Sequence, residues 1–271
     1  MTLLTERSGR VRDARKLLRR RWRAKAGLFL AEGPQAVGEA LADTRRQPVV
    51  ELFASPEAAV RWSGLVDRAV EAGVPVHHAE DRALAALSET VTPQGLVAVC
   101  RTVTLGLGEA VPAGATLVTV LADVRDPGNA GTVIRCSDAA GADAVILTGG
   151  SVDPQGGKSV RASAGSLFHL PVATEVPASE AADALRDRGL TLLAADAGAR
   201  LDLDAADGSG LLARPTAWVF GNEASGLATE LADLVDEAVR IPIYGRAESL
   251  NLAAASAVCL YASARAQRRS G

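Results

Sequence analysis

Apolar and polar positions along this chain follow two periods. Val11, Ala14, Leu18, Trp22 and Ala26 recur at helical spacing and predict a helix over residues 10–26, with arginines on its other faces. Short apolar runs then alternate with helical stretches. Leu28–Ala31, Val49–Ala54, Val74–His78 and Gly95–Arg101 read as strands. Pro34–Ala42, opened by Gly33-Pro34, reads as a helix, as do Pro56–Glu71 and Asp81–Leu87. Together these predict a small α/β domain over residues 1–104. Residues 105–115 carry Gly106, Gly108, Pro112 and Gly114 and read as a linker. Beyond it, strands are predicted at 116–123, 144–148, 169–173, 191–195, 217–220 and 238–243. Helices are predicted at 129–140, 179–188, 227–235 and 250–267. That alternation predicts a second α/β domain, residues 116–271, built on a parallel sheet with helices on both faces.

Three polar loops at strand ends carry the candidate chemistry. Val219-Phe-Gly-Asn-Glu-Ala-Ser-Gly226 follows the apolar run 217–220. Asp126-Pro-Gly-Asn-Ala-Gly-Thr-Val-Ile-Arg135 follows the run 116–124. Ile241-Pro-Ile-Tyr-Gly-Arg-Ala-Glu-Ser-Leu-Asn251 precedes an alanine-rich helix. A parallel sheet presents backbone N–H groups and polar side chains to ligands at the carboxyl ends of its strands. The three loops therefore predict one composite site.

Charge is unevenly spread. The 271 residues carry 29 Lys/Arg and 32 Asp/Glu, a formal net charge of −3. Residues 7–25 hold ten basic side chains against one acid, Asp13, so the remainder is net acidic. Clustered Lys/Arg of this kind suit phosphate neutralisation. With aromatics at 3%, nucleic-acid binding is expected to rest on phosphate and shape more than on stacking platforms. Cys100, Cys136 and Cys259 are far apart, which fits a reducing cytosol and argues against a disulfide scaffold or zinc cluster. No apolar run reaches membrane-span length, and no signal peptide is expected.

Two nucleotide signatures are excluded. Gly157-Lys158-Ser159 resembles the end of a P-loop, but the glycine needed at position 152 is Val. No G-x-G-x-x-G follows a strand. The histidines give no metal-ligand spacing: His77 and His78 point to opposite faces of a strand, and His169 has no partner, so no metal is expected. Asn129 could simply cap its helix, and Ser249 is a good N-cap for the last helix. Arg135 lies among Val133, Ile134 and Cys136, where a guanidinium wants an anion or acceptor cluster. Glu223 at a strand end reads as a ligand-facing carboxylate, and Asn251, a poor interior helix residue, as a polar group with a task.

The three loops, in this order and spacing, resemble the SpoU (TrmH-like) branch of the SPOUT RNA methyltransferases. The likeness spans most of residues 116–262. Residues 10–101, including Gly27-Leu-Phe-Leu-Ala-Glu-Gly33 and Thr92-Pro-Gln-Gly-Leu-Val-Ala98, resemble that family's N-terminal RNA-recognition domain. The resemblance implies 2′-O-methylation of an RNA ribose by S-adenosylmethionine, a homodimer in the cytoplasm, and a deep trefoil knot formed by the last motif. It implies catalytic roles for Asn129, Arg135, Glu223, Ser249 and Asn251. The implied cofactor contacts are Leu147, Thr148, Phe220, Gly221, Asn222, Gly226, Ile241, Ile243, Ser249 and Leu250. Arg15, Arg19, Arg20, Arg23, Lys158 and Arg161 are the expected RNA contacts. Ribosomal RNA is preferred over tRNA as substrate, because the N-terminal domain is complete. A tRNA enzyme, a non-catalytic RNA-binding protein and a small-molecule Rossmann-type enzyme are the competing readings. The missing glycine fingerprint and the basic N-terminal helix count against the last.

Overall fold

The computed structural model describes residues 3–223, 226–227 and 229–270. The first stretch holds α1 (Gly9–Lys16), α2 (Arg20–Ala26), β1 (Leu28–Glu32), α3 (Pro34–Ala42), β2 (Val49–Ala54), α4 (Pro56–Arg61), α5 (Ser63–Glu71), β3 (Val76–His78), α6 (Asp81–Ala85) and β4 (Leu96–Arg101). There follow α7 (Leu107–Ala110), β5 (Leu117–Leu121), α8 (Pro127–Ala140), β6 (Ala144–Thr148) and α9 (Gly157–Ser163). The rest is β7 (Val172–Val176), α10 (Ala178–Arg186), β8 (Thr191–Ala195), β9 (Leu201–Asp202), α11 (Leu203–Gly208), β10 (Thr216–Phe220), α12 (Thr229–Ala232), β11 (Glu237–Arg240) and α13 (Leu252–Ser270).

These elements form two units. The first comprises residues 1–103 and 153–169, the second residues 104–152 and 170–271. The first unit holds a four-stranded sheet in the order β1-β4-β2-β3, antiparallel except for β2 with β3. Val11, Ala14, Leu30, Phe53, Leu84 and Val97 share its core. The expected helix 10–26 is broken in two. Leu17 turns into the core at 5% exposure, and the Arg23 guanidinium bonds the Leu17 and Leu18 carbonyls at 3.0 Å each. The expected helix 56–71 is likewise broken, at Trp62 (φ −117°, ψ 36°). Gly95 has φ 76°, and a Cβ there would lie 2.7 Å from the Ala58 Cβ, so no larger residue fits this turn.

Residues 153–169, read from sequence as part of the second domain, belong to the first unit. Arg23 pairs with Asp153 at 2.7 Å, Arg161 with Glu32 at 2.8 Å, and Phe168 stacks on Phe29 with centroids 6.0 Å apart. Its helix α9 has no apolar periodicity, which is why it escaped the sequence reading. Glu32 is almost fully buried, and Arg161 with Thr90 and Ser88 satisfies its carboxylate.

The second unit is a wholly parallel sheet in the order β7-β6-β5-β10-β8-β11-β9. The chain runs outward from β5 through β6 to β7, then crosses to β8 on the other side. Strand β10 later enters between β5 and β8. The direction of winding reverses there, the position at which open α/β sheets hold ligands. The central strands β5, β6 and β10 are buried on both faces, as parallel strands covered by helices should be. The expected linker is part of this core: α7 falls within it, and Ala110, Val111 and Ala115 are buried with Val118, Ile146 and Leu185. Strand 169–173 is displaced to β7, and β9 and α11 are additions to the predicted set. Among the described residues, no helix is long and apolar enough to cross a membrane.

Candidate functional site

At the carboxyl ends of β8, β10 and β11 lies a cavity of ≈ 410 Å³, within the usual range for small-molecule sites. Val239, Ile241, Ile243, Leu250, Leu252 and Phe220 give it apolar lining. Asp196, Glu223 and Glu248 place three carboxylates on its lining. An apolar crevice with several carboxylates suits a ligand that is partly planar and carries a positive charge.

The loop after β10 is shaped by backbone contacts. Asn222 and Gly226 exchange two backbone hydrogen bonds, each 2.9 Å, and Gly226 has φ 69°. A Cβ on Gly221 would lie 2.4 Å from the Gly226 carbonyl carbon, so only glycine permits this closure. The Asn222 amide reaches across to donate to the Asp123 carbonyl at 2.8 Å. Residues 224, 225 and 228 lie outside the described residues.

The loop after β5 meets it. Asp126 caps α8 by accepting the Asn129 N–H at 2.8 Å. Glu223 then ties the two loops together. Its carboxylate accepts the Asn129 side-chain amide at 3.1 Å and the Asp126 and Arg125 backbone N–H groups at 3.3 and 3.4 Å. Partial burial alone would raise this carboxyl. The hydrogen bonds from Asn129, from its own N–H and from Arg125 and Asp126 outweigh that and hold it below the ordinary carboxylate range.

The third loop joins through Asn251. Its amide donates to the Asn129 side-chain oxygen at 3.1 Å, while its own oxygen accepts the Ala253 N–H at 2.9 Å. Asn251 is thus the N-cap of α13, in the place expected of Ser249. The three loops of the sequence reading converge in one hydrogen-bonded line, Asn251–Asn129–Glu223, at the cavity wall.

Other expected residues stand elsewhere. Ser249 lines the cavity, on an exposed stretch of chain. Leu147 and Thr148 are buried at the end of β6 and do not line it, since β5 separates β6 from β10. Thr148 instead accepts the Asp123 N–H at 3.2 Å and so supports the loop after β5. Arg135 is exposed on α8, has no partner among the described residues, and is not part of the cavity wall. In the first unit, Arg15, Arg19, Arg20 and Lys158 are exposed. Arg23 is 8% exposed and committed to Asp153, and Arg161 is committed to Glu32. Both were expected to contact RNA; in the fold each neutralises a carboxylate, Asp153 and Glu32 respectively.

Asp123, Arg125, Asp196 and Glu248 were missed by the sequence reading. Asp196 immediately follows a predicted strand, a signal that could have found it. Asp123 (φ 51°) holds Arg125 through two contacts, 3.1 and 3.2 Å, which sequence spacing does not show. Burial raises all three thiols, Cys259 to about 12, so none is poised as a nucleophile. Among the described residues no group of His, Cys, Asp and Glu could hold a metal ion.

A parallel α/β sheet with a polar line beside an apolar crevice at its switch point has the architecture of open-sheet α/β ligand-binding proteins. The family follows from comparison. Residues 116–261 match the SpoU rRNA Methylase family, and residues 9–98 match the MRM3-like substrate binding domain. The chain belongs to the SpoU rRNA methylase family. It is 34% identical to the 23S rRNA (guanosine(2553)-2′-O)-methyltransferase RlmP of Bacillus subtilis, over 93% of this chain and 94% of that one. It is 32% identical to the 23S rRNA (uridine(2479)-2′-O)-methyltransferase of Streptomyces viridochromogenes, over 99% and 93%. The crystal structure of the SpoU methyltransferase AviRb from Streptomyces viridochromogenes, in complex with AdoMet, superposes with a TM-score of 0.84 at 30% identity, covering 98% of this chain and all of that one.

Proposed function

We propose that this protein transfers a methyl group from S-adenosylmethionine to a ribose 2′-hydroxyl of ribosomal RNA. The observation that carries this reading is the Asn251–Asn129–Glu223 line on the wall of the cavity at the switch point. Membership of the SpoU family and the rRNA named for both relatives support it, and favour rRNA over tRNA.

The residues present fit the cofactor. Phe220, Ile241, Ile243 and Leu250 would hold its flat and apolar parts, and the carboxylates of Asp196, Glu223 and Glu248 would favour its positive charge. When bound, S-adenosylmethionine supplies an electrophilic methyl group on a sulfonium. The chain's own task is to orient a weakly acidic alcohol for in-line attack and to let its proton leave. Asn129 is fixed from both sides by Glu223 and Asn251, so it can orient the ribose without rearranging. Arg135 serves as a clamp on the target nucleotide's phosphate, since a guanidinium is a bidentate partner for phosphate and a poor base. The hydroxyl proton passes to a phosphate oxygen or water.

The same reading includes a cytoplasmic homodimer and a trefoil knot threaded by residues 241–251. Val258 and Tyr261, 40% and 46% exposed on one face of α13, support a second copy packing there. The test is to incubate the protein with labelled S-adenosylmethionine and unmodified rRNA, ribosomal subunits or tRNA, and to map any 2′-O-methyl. Label in rRNA or subunits is the expected result. Label confined to tRNA would overturn the substrate class, and cofactor binding without label in any pool would favour a binding-only role.

A further inference from the structure

Trp22 stands among cations in the first unit. Lys25 Nζ lies 5.3 Å from its ring centroid, and Lys16 Nζ and Arg21 Cζ each lie 5.7 Å away. Those cations come from α1, from α2 and from the residue beside Trp22 itself. The surrounding charge is only partly used within the fold: Lys16 pairs with Asp13 at 2.7 Å and Arg10 with Glu51 at 3.2 Å. Arg15, Arg19, Arg21 and Lys25 are exposed; Arg21 and Lys25 contact the Trp22 ring. The indole is half-buried, unlike Trp218, which is fully buried and hydrogen-bonded to Ser263 at 2.9 Å.

A ring collared by cations on a basic surface has the two parts of a single-strand site: a π-face for a base and charges for the flanking phosphates. We propose that Trp22 is a stacking anchor for an unpaired nucleobase of the RNA substrate, with Arg19, Arg21 and Lys25 on the neighbouring phosphates. This rests on the rRNA methyltransferase reading and adds a contact which the chain's low aromatic content concealed. In the free protein the cations lie against the ring. Bound RNA draws them onto phosphate and opens the ring to the base. Any base has a π-face, so the anchor fixes the position of a single-stranded loop without selecting its sequence.

The experiment measures binding of single-stranded and fully duplex RNA oligonucleotides to the full chain, by anisotropy at several salt concentrations. The proteins are the parent, Trp22→Phe and Trp22→Leu, together with Lys25→Ala. Intrinsic tryptophan emission is followed in parallel, and methyl transfer to rRNA is measured on the same preparations. Trp22→Leu keeps apolar bulk and should weaken single-strand binding ~5- to ~150-fold, the range for loss of one stacked base. Its salt slope should be unchanged, Trp22→Phe should retain most of the affinity, and Lys25→Ala should flatten the slope. Quenching by single-stranded RNA should be present in the parent and lost in Trp22→Phe. Equal affinities for the parent and Trp22→Leu, or quenching that persists without Trp22, would overturn the anchor. If rRNA is still methylated in that case, the methyltransferase reading stands. Absence of both RNA binding and methylation in the parent would overturn both.

Discussion

Replacing Gly221 by alanine tests how the cavity proposed to hold the cofactor is built. The added Cβ would lie 2.4 Å from the Gly226 carbonyl carbon, 2.5 Å from its oxygen and 2.6 Å from the Leu227 nitrogen, all backbone atoms. Contacts below 3.0 Å are not tolerated, so the chain at Gly226 must yield by half an ångström or more. The two Asn222–Gly226 hydrogen bonds, each 2.9 Å, hold that approach and are the first to break. At about 0.5–1.5 kcal/mol each, their loss costs about 1–3 kcal/mol. Gly221, Asn222 and Gly226 all line the cavity, so the cost falls on the ligand-ready shape of the loop. The expected outcome is an S-adenosylmethionine affinity ~5- to ~150-fold lower by titration calorimetry. The same loss of about 1–3 kcal/mol should lower the melting temperature by ~2–12 °C, while the pairing of β10 with β5 and β8, which precedes the loop, stays intact. Gly149→Ala is the control: a Cβ there meets nothing within 4 Å. Unchanged affinity in Gly221→Ala, or an equal loss in Gly149→Ala, would refute the argument.

Arg23→Ala should be strongly destabilising, by about 3 kcal/mol, because it strands the little-exposed Asp153 carboxylate and frees two carbonyls. The corresponding fall in melting temperature is ~6–12 °C; Arg19→Ala should leave the melt unchanged and weaken RNA binding, and equal melts for both variants would contradict the assignment. Glu223 has its carboxyl held below the ordinary 4.5, so its tie between the loops is fully present above that pH and is lost as pH falls below it through the lowered value. Parent and Glu223→Gln melts should therefore differ most above pH 4.5 and converge toward acid; a constant difference across that range would sink the idea. Arg135→Lys should keep RNA binding within a few-fold and lower kcat at least ~10-fold if planar phosphate contact matters, and near-normal turnover would show that any cation suffices.

Much of the fold was legible because its signals are local. The parallel sheet shows as short, wholly apolar runs between helical stretches, and the Val49–Ala54 strand and Pro34–Ala42 helix fall where periodicity and Gly33-Pro34 place them. The three polar loops were legible for the same reason: each joins turn residues to a strand or helix end. Segments whose structure depends on distant partners were not. The run 153–169 follows a strand of the second unit yet packs with the first, because Arg23 and Glu32 supply the charges that Asp153 and Arg161 need. The supposed linker is core because Ala110 and Val111 meet apolar surface from the sheet.

Local chain pattern specifies the elements, the loops that carry the chemistry and the basic face near the N-terminus. Tertiary structure alone decided which polar groups meet. Nothing in the spacing of Asn129, Glu223 and Asn251 orders them into one line. The insertion of β10 between β5 and β8 does so, by bringing three strand ends together. It also decided which arginines remain free. Arg19 and Arg23 look alike in sequence, but a little-exposed carboxylate wants a cation, and only the folded chain shows that Arg23 supplies it.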